Sequence, residues 1–312
     1  MKALILGGAG FVGHYLINKL RSSGHEIYAT CLPNEQIAEK DCEILNLDIL
    51  DKSAVTDTLT QIKPDCIFHL AAQSSVSYSW KNPQLTVDVN VKGTLNVLDA
   101  MREAGLEKTR ILLIGSGEEY GYIREGACPI NENEPLHPGN IYAATKACQS
   151  MIGSIYAKAY GMDIVMVRAF NHIGPAQITQ FVVADFCNQA AQIEKGMKEA
   201  EIRVGNLAVK RDFTDVRDIV RAYELLAQKG VSGKIYNVGS GNAVLIEDIL
   251  KLIISKSKAE ISVVVDKARL RPADIPVIEA DISLIKADTG WEPSIPLEKT
   301  IEDTLDYWRN EI

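Results

Sequence analysis

Basic charge, long apolar runs and grouped cysteines are all scarce in this sequence. The six cysteines and five histidines show none of the spacings typical of metal ligands or of a disulfide framework. Acidic side chains outnumber basic ones by 41 to 33, and the net charge of −8 disfavours nucleic acid. No apolar run approaches about 18 residues, and the apolar run at the start of the chain is too short for that of a signal peptide. We therefore expect a cytoplasmic protein without a metal, a nucleic-acid partner or a membrane partner.

What the sequence does contain is typical of a globular α/β protein. Of its 312 residues, 46% are hydrophobic and 24% are charged, which is enough for a substantial core. Six short apolar runs alternate with segments of helical period, and this pattern predicts a parallel sheet covered on both faces. The runs lie at 3–6, 27–29, 44–47, 67–70, 111–114 and 164–167. The expected fold class is α/β, with a Rossmann-type doubly wound parallel sheet.

The alternation of strands and helices breaks down after about residue 170. Helical stretches near 177–195, 215–228, 245–256 and 297–310 are mixed with short strands at 201–204, 235–238 and 261–265. This pattern predicts a dinucleotide-binding domain at 1–170 and a smaller C-terminal α/β substrate lobe mainly at 171–312, interleaved and with an approximate boundary. We expect ligands in the cleft between them, beyond the carboxyl ends of the strands.

A glycine-rich turn, GGAGFVG at 7–13, follows the first predicted strand and opens the first helix. Glycine permits the tight turn and lets backbone N–H groups approach a pyrophosphate at the helix N-terminus. Loop residues and the ends of the third and fourth strands supply the predicted cofactor contacts, although Asp48 could instead belong to a helix-capping loop. The predicted cofactor-binding residues are Gly7, Gly10, Phe11, Val12, Gly13, Asp48, Ile49, Leu70, Ala71 and Ala72.

The end of the second predicted strand indicates which dinucleotide is bound. An acidic residue there binds the ribose hydroxyls of NAD, and an arginine accepts the extra phosphate of NADP. Residues 30–33 are Thr-Cys-Leu-Pro and supply neither. Because no carboxylate there would repel a phosphate, we expect NADP(H) to be preferred and NAD(H) to be possible.

A candidate catalytic pair lies four residues apart, at Tyr142 and Lys146, on one face of a predicted helix. A cation beside a phenol lowers its pKa, so the tyrosine could exchange a proton with a sugar hydroxyl or ketone. Tyr15 and Lys19 repeat the spacing behind the glycine loop, where we expect a surface tyrosine beside a solvated lysine. Only Tyr142 is preceded by a hydroxyl residue at a predicted sheet end, Ser116.

With the glycine loop, Ser116, Tyr142 and Lys146 in this order, the chain resembles the extended short-chain dehydrogenases/reductases of the NAD-dependent epimerase/dehydratase family over nearly its whole length. The resemblance implies that Ser116 and Tyr142 hydrogen-bond the sugar C4 oxygen. It implies that Tyr142 and Lys146 also contact the cofactor, Lys146 through the nicotinamide ribose, while a hydride passes between C4 and the nicotinamide ring.

Glu118 is a further catalytic and substrate-binding candidate, because relatives that eliminate water use a glutamate here to remove the C5 proton. An extended segment would point Ser116 and Glu118 the same way. In those relatives an acid or a serine acts together with the glutamate, and Gly117 occupies the position of that residue here, which argues against dehydration. The other interpretation of Glu118 is a solvated or structural carboxylate.

Three further segments resemble the GDP-sugar branch of that family. They are FNHIGP at 170–175, VGNL at 204–207 with KRDF at 210–213, and RLRPAD at 269–274. By that similarity Asn171, Arg211 and Arg271 would hold the substrate diphosphate, the arginines through charge-assisted bonds. Taken singly, Arg211 could instead pair with Asp212 or Asp215.

This branch resemblance implies NAD(P)H-dependent reduction of the C4 ketone of GDP-4-dehydro-6-deoxy-D-mannose to GDP-D-rhamnose. Dehydration of GDP-mannose, 4-epimerisation of a UDP-sugar and a non-catalytic cofactor-binding scaffold are the alternatives. In related enzymes the helices corresponding to 83–104 and 141–160 pair across a dimer axis, so a homodimer is expected. Burial inside the monomer would give these helices the same apolar pattern.

Overall fold

The architecture is built from one large sheet and two small ones, in a computed structural model that describes residues 1–39, 41–124, 126–269 and 275–312. Short apolar runs bounded by polar or turn residues form most of the strands. The strands are β1 (Lys2–Leu6), β2 (Glu26–Cys31), β3 (Glu43–Asn46), β4 (Cys66–His69), β5 (Arg110–Ser116), β6 (Ile164–Ala169), β7 (Asn171–Ile173), β8 (Glu201–Val204), β9 (Lys210–Asp215), β10 (Ile235–Val238), β11 (Ala243–Leu245), β12 (Ser262–Val265) and β13 (Val277–Ile278).

Helices connect these strands and cover the large sheet. None of the helices in the described part of the chain is both long and apolar enough to cross a membrane. They are α1 (Phe11–Ser22), α2 (Lys52–Ile62), α3 (Val76–Lys81), α4 (Pro83–Val87), α5 (Gly93–Glu103), α6 (Ile141–Tyr160), α7 (Val182–Glu194), α8 (Val216–Lys229), α9 (Ile246–Lys256), α10 (Ser283–Thr289) and α11 (Leu297–Glu311).

The large sheet has seven strands in the order β10-β6-β5-β4-β1-β2-β3, and all its pairings are parallel. Helices α1 and α8 pack on one face, where Leu16 and Tyr223 are buried. Helices α2, α5 and α6 pack on the other face, where Leu59 and Val97 are buried. The predicted Rossmann-type doubly wound sheet is therefore confirmed, with all six predicted strands in it.

The seventh strand comes from the second half of the chain. We expected residues 235–238 in the smaller lobe, but β10 pairs in parallel with β6, with Ile235 opposite Met166. Helix α8 also buries Ile219 against the large sheet. A short apolar run can extend either sheet, so its sequence alone does not select its partner. The division near residue 170 stays a prediction, because the chain returns to the large sheet after it.

The smaller lobe has a mixed sheet of four strands, in which β9 pairs with β7, β11 and β13, and a two-stranded parallel sheet of β8 and β12. Helices α7, α9 and α11 enclose its core, where Phe186, Ile249 and Ile301 are buried. The lobe therefore has an apolar core distinct from the cores on the two faces of the large sheet.

The helix that we expected at 83–104 is interrupted. It begins as α4, widens into a π-helical turn (Asp88–Lys92) and continues as α5. Within the widened turn, Asn90 Nδ2 donates to the backbone oxygen of Gln73 (3.0 Å) and to Thr145 Oγ1 on α6 (2.9 Å). The irregular turn thus joins the loop after β4 to α6, which fits the tendency of such turns to lie at functional sites.

Candidate active site

The glycine loop joins β1 to α1. Gly7 has a φ of +85°, and a Cβ there would lie 2.7 Å from the Cα of Ala71. A Cβ on Gly13 would overlap the carbonyl of Gly8, so close packing excludes a side chain at that position too. Gly10 is exposed, and among the described residues no side chain caps the start of α1. The first N–H groups of α1 therefore point into an open cradle, which fits a dinucleotide pyrophosphate.

Phe11 and Val12 begin α1 on different sides of the helix. The Phe11 ring is parallel to the His172 imidazole, with centroids 6.2 Å apart, and Val12 packs against the core under α1. Leu70 and Ala72 flank the half-buried Ala71 at the end of β4. Strand β7 therefore contacts, through His172, the helix that opens the cofactor cradle.

Asp48 and Ile49 follow β3 and differ in their surroundings. Asp48 is exposed and its Oδ1 accepts a hydrogen bond from the backbone N–H of Leu50 (2.9 Å), whereas Ile49 is buried. Asp51 supplies the side-chain cap of α2 by accepting from Ala54 N (3.0 Å). Asp48 therefore lies in a turn that precedes the helix cap, at the sheet edge where the cradle opens.

Ser116 and Tyr142 meet at the carboxyl end of β5. Tyr142 lies in the first turn of α6, where the Asn140 side chain caps the helix by accepting from Ala143 N (2.8 Å). The side chain of Ser116 is a neighbour of the Tyr142 phenol and favours the ionised form of the phenol. Burial raises the pKa of Tyr142 well above its ordinary value. We expected the pKa of Tyr142 to be lowered beside Lys146, and the net direction is wrong, because desolvation of the phenol outweighs the other influences.

Lys146 is held one helical turn beyond Tyr142, with only 4% of its surface exposed. Its Nζ donates to the backbone oxygen of Ile114 (2.7 Å) and to Oε1 of Gln149 (3.1 Å), while Gln149 Nε2 donates to the same Ile114 oxygen (3.2 Å). Burial lowers the pKa of Lys146 to about 8, and the charge of Glu119 opposes this. The sequence-based prediction missed Gln149, although its spacing of three residues from Lys146 places both on one helix face.

Glu118 also faces Tyr142, but not as we expected. Residues Gly117–Tyr120 form a 3-10 turn rather than an extended segment, because Ser116 Oγ accepts the N–H of Glu118 (3.2 Å) and caps the turn. Glu118 Oε2 accepts from Asn140 Nδ2 (3.2 Å), and the negative charge of Glu118 helps to raise the pKa of Tyr142. The charge of this carboxylate therefore acts on the phenol.

Glu119 is a buried carboxylate that the sequence-based prediction did not single out. It accepts hydrogen bonds from the backbone N–H of Ser116 (2.9 Å), from Ser150 Oγ (2.8 Å) and from Arg168 Nε (3.0 Å). Arg168 also donates to the Tyr120 hydroxyl (3.0 Å). This network fixes the position of Ser116 through its backbone N–H. The S-x-x-E pattern of a capping box at 116–119 could have identified it.

Asn171 and Arg211 lie on one face of the lobe sheet. Asn171 pairs with Phe213 across β7 and β9, and Arg211 is two residues from Phe213, so their side chains point the same way. Of the two aspartates considered as partners of Arg211, Asp212 is buried and accepts from the turn after β10, whereas Asp215 caps α8. The structure therefore places two of the three predicted diphosphate ligands on one surface.

Arg271, the third of these ligands, lies outside the described residues. Nearby, Arg269 Nη1 forms an ion pair with Asp185 at the start of α7 (2.6 Å). A cavity of about 330 Å³ opens between the loop after β4 and the lobe. It is lined by Gln73, Ser74, Ser75, Tyr78, Leu85 and Gln180. The prediction stopped at Ala72, although the polar run that follows it was a signal for this cleft.

The second tyrosine–lysine pair takes no part in this site. Tyr15 donates to the backbone oxygen of Pro175 (2.9 Å), and burial raises its pKa to about 12. Lys19 forms an ion pair with Glu224 (2.9 Å). The expected surface tyrosine is thus half-buried, because the loop after β7 covers it. Ala176 in that loop has a φ of +68°.

Comparisons with known proteins support a common family. The family model described as GDP-mannose 4,6 dehydratase matches residues 4–304. GDP-6-deoxy-D-mannose reductase of Pseudomonas aeruginosa is 32% identical over 100% of this chain and 98% of its own length. GDP-mannose 4,6-dehydratase of Vibrio cholerae serotype O1 is 30% identical over 97% of this chain and 92% of its own. The structure of RMD from Pseudomonas aeruginosa complexed with NADPH has a TM-score of 0.90 and 30% identity, covering 100% of both chains.

Proposed function

Because the chain belongs to the GDP-mannose 4,6 dehydratase family, we propose that it is an NAD(P)H-dependent oxidoreductase that reduces the C4 ketone of GDP-4-dehydro-6-deoxy-D-mannose to GDP-D-rhamnose. The observation that supports this proposal is the placement of the Ser116 and Tyr142 side chains next to each other, with Lys146 held one helical turn beyond Tyr142. The similarity to a reductase over the whole chain supports the same reaction.

The residues at the end of β5 would supply the proton chemistry. Burial keeps the Tyr142 phenol protonated near neutral pH, so it can donate its proton to the C4 oxygen. The Ser116 hydroxyl would hydrogen-bond the same oxygen and polarise the ketone. Lys146, with a pKa of about 8, is mostly charged at pH 7 and would stabilise the phenolate that remains. A dihydronicotinamide held at the glycine loop would supply the hydride.

The substrate diphosphate would lie against the lobe. Asn171 and Arg211 share a face of the lobe sheet. The Arg211 guanidinium donates through Nη1 to the backbone oxygen of Ile275 (2.7 Å), and its charge would attract a phosphate at this face. Arg271 completes the proposed set of ligands.

Dehydration of GDP-mannose is a second candidate function, favoured by the carboxylate of Glu118, whose charge acts on Tyr142. It is disfavoured at Gly117, where a Cβ would lie 3.2 Å from the ring of Phe170. A larger side chain at that position, the first partner of the glutamate in dehydrating relatives, would displace the ring. Glu118 alone would then have to perform the acid–base work at C5 and C6.

The decisive experiment is the loss of reduced-cofactor absorbance with GDP-4-dehydro-6-deoxy-D-mannose, measured with NADH and NADPH. Tyr142→Phe should lower kcat by about 10²-fold to 10⁴-fold while the cofactor Kd stays nearly unchanged. Tyr15→Phe is the matched control, since it removes a phenol from the other tyrosine–lysine pair and should keep turnover.

A wild-type protein that oxidises neither cofactor, or a Tyr142→Phe variant with full turnover, would overturn the proposal. Glu118→Gln separates the two candidate reactions. It should leave reduction within about tenfold, and it should abolish any conversion of GDP-mannose, because dehydration needs the carboxylate as a base.

We also propose a homodimer through the helices at 83–104 and 141–160. Leu85 and Val87 are exposed on α4, and Met151 and Ile155 on α6 are 58% and 59% exposed. Ile152 on α6 packs inside the monomer instead. The same helices therefore have an inner apolar face and an unburied outer one. Sedimentation as a dimer is expected, and sedimentation of the wild-type chain as a monomer would exclude this proposal.

A further inference from the structure

The turn after β2 brings a carboxylate back to the end of the strand. The backbone N–H of Glu35 donates to the oxygen of Leu32 (2.9 Å), which closes the turn at 32–35. The N–H of Leu32 in turn donates to Oε2 of Glu35 (3.0 Å). Although Glu35 lies four positions beyond Cys31, the last residue of β2, its charge therefore stands beside the first residue after the strand.

The pKa of the Cys31 thiol also indicates that Glu35 lies close to the end of β2. Burial is the main cause that raises the pKa of Cys31, and the negative charge of Glu35 raises it further. Glu35 itself is exposed. The carboxylate is thus fixed at the strand end by the turn and still faces solvent, where a ligand hydroxyl can reach it.

This strand end is continuous with the glycine loop. Gly8 N donates to the backbone oxygen of Thr30 (2.7 Å), and Gly7 N donates to Thr30 Oγ1 (3.2 Å). The Ile37 side chain packs over Gly8, where a Cβ would lie 3.1 Å from its terminal methyl group. The turn therefore borders the proposed pyrophosphate cradle, at the place where dinucleotide folds hold the adenosine ribose.

We infer that Glu35 binds the ribose hydroxyls of the adenosine half of the cofactor and makes this protein select NAD(H) over NADP(H). This inference deepens the proposed function and rests on it. Residues 30–39 contain two glutamates and no lysine or arginine. A 2′-phosphate would place its negative charge against that of Glu35, which disfavours NADP(H). The earlier expectation of NADP(H) considered only residues 30–33, where no acid occurs.

The test is direct binding of each cofactor without any sugar, by titration calorimetry with NADH and with NADPH. The wild-type protein should bind NADH at least about tenfold more tightly than NADPH. Glu35→Gln keeps an oxygen that can accept from Leu32 N but removes the charge, so the ratio of the two Kd values should approach one. Asp41→Asn is the matched control: Asp41 is an exposed acid of the same segment, already paired with Arg21 (2.9 Å), and the ratio should not change.

Wild-type protein that binds NADPH as tightly as NADH would overturn the inference, and so would a Glu35→Gln variant with the wild-type ratio. Thermal unfolding of each variant confirms that it is folded. Failure of the proposed reaction would look different: the preference for NADH would persist, and Glu35→Gln would still abolish it, while neither cofactor would be oxidised by the ketosugar.

Discussion

Replacing Glu119 by alanine is expected to destabilise the protein strongly. Glu119 is fully buried, and its loss leaves Arg168, 4% exposed, as a buried cation without its carboxylate. Breaking a buried ion pair on one side costs about 3–5 kcal/mol. The N–H of Ser116 and the hydroxyl of Ser150 lose their acceptor as well, at about 1–3 kcal/mol for each group left unsatisfied. We therefore expect the free energy of unfolding to fall by at least about 3 kcal/mol.

The assay is urea unfolding at pH 7, followed by tryptophan fluorescence. At about 2 °C per kcal/mol for a chain of this size, the midpoint of thermal unfolding should also fall by about 6 °C or more. Glu118→Ala is the control on the adjacent carboxylate, which is half-buried and accepts from Asn140, and should cost less than about 1 kcal/mol. If both variants lose the same stability, or if Glu119→Ala loses less than 1 kcal/mol, Arg168 does not depend on Glu119 as argued.

Three further changes test burial, backbone strain and the lysine site. Burial lowers the pKa of His69 to about 3 in the folded protein, whereas the imidazole of the unfolded chain is protonated below about pH 6.5. Below that pH the free energy of unfolding should therefore fall by about 1.4 kcal/mol for each unit by which the pH is lowered. His69→Asn should flatten this dependence in urea unfolding between pH 6 and pH 4, and an unchanged slope would contradict it. Ala176→Gly removes a Cβ from a residue at positive φ, which relieves about 1–2 kcal/mol of backbone strain in the folded protein. The greater freedom of glycine in the unfolded chain costs only about 0.4–1 kcal/mol, so the unfolding temperature should rise rather than fall. Gln149→Leu removes an acceptor of the Lys146 ammonium, so the loss of kcat/KM at high pH should begin at lower pH than in wild type, and an unmoved limb would exclude this role.

The parts of the fold that local sequence determines could be predicted. Each strand of residues 2–169 lies where a short apolar run predicted it, because burial on both faces demands such a run. The meeting of Ser116 and Tyr142 could also be expected, since a strand end and a helix start were both visible in the sequence. In these segments local propensity and tertiary position agree.

What could not be predicted depends on contacts distant in the chain. The pairing of β10 with β6 joins Tyr236 to Val167, and no local feature of residues 235–238 selects that edge. The pKa of Tyr142 is raised rather than lowered, because it follows burial and not the spacing to Lys146. Glu35 reaches the end of β2 only through a turn whose hydrogen bonds are invisible to a rule about strand ends.

The return of the chain to the large sheet at β10 limits how such a protein can change. After β6 the chain enters the lobe, comes back with α8 and β10, and leaves again at β11. It comes back once more before its end, where Ile285 and Trp291 are buried with the core under α1 and α8. A chimera that exchanged the lobe for that of a relative would have to be cut at every one of these crossings. New substrate preferences in this architecture are therefore more accessible by single substitutions in place than by transfer of a whole module.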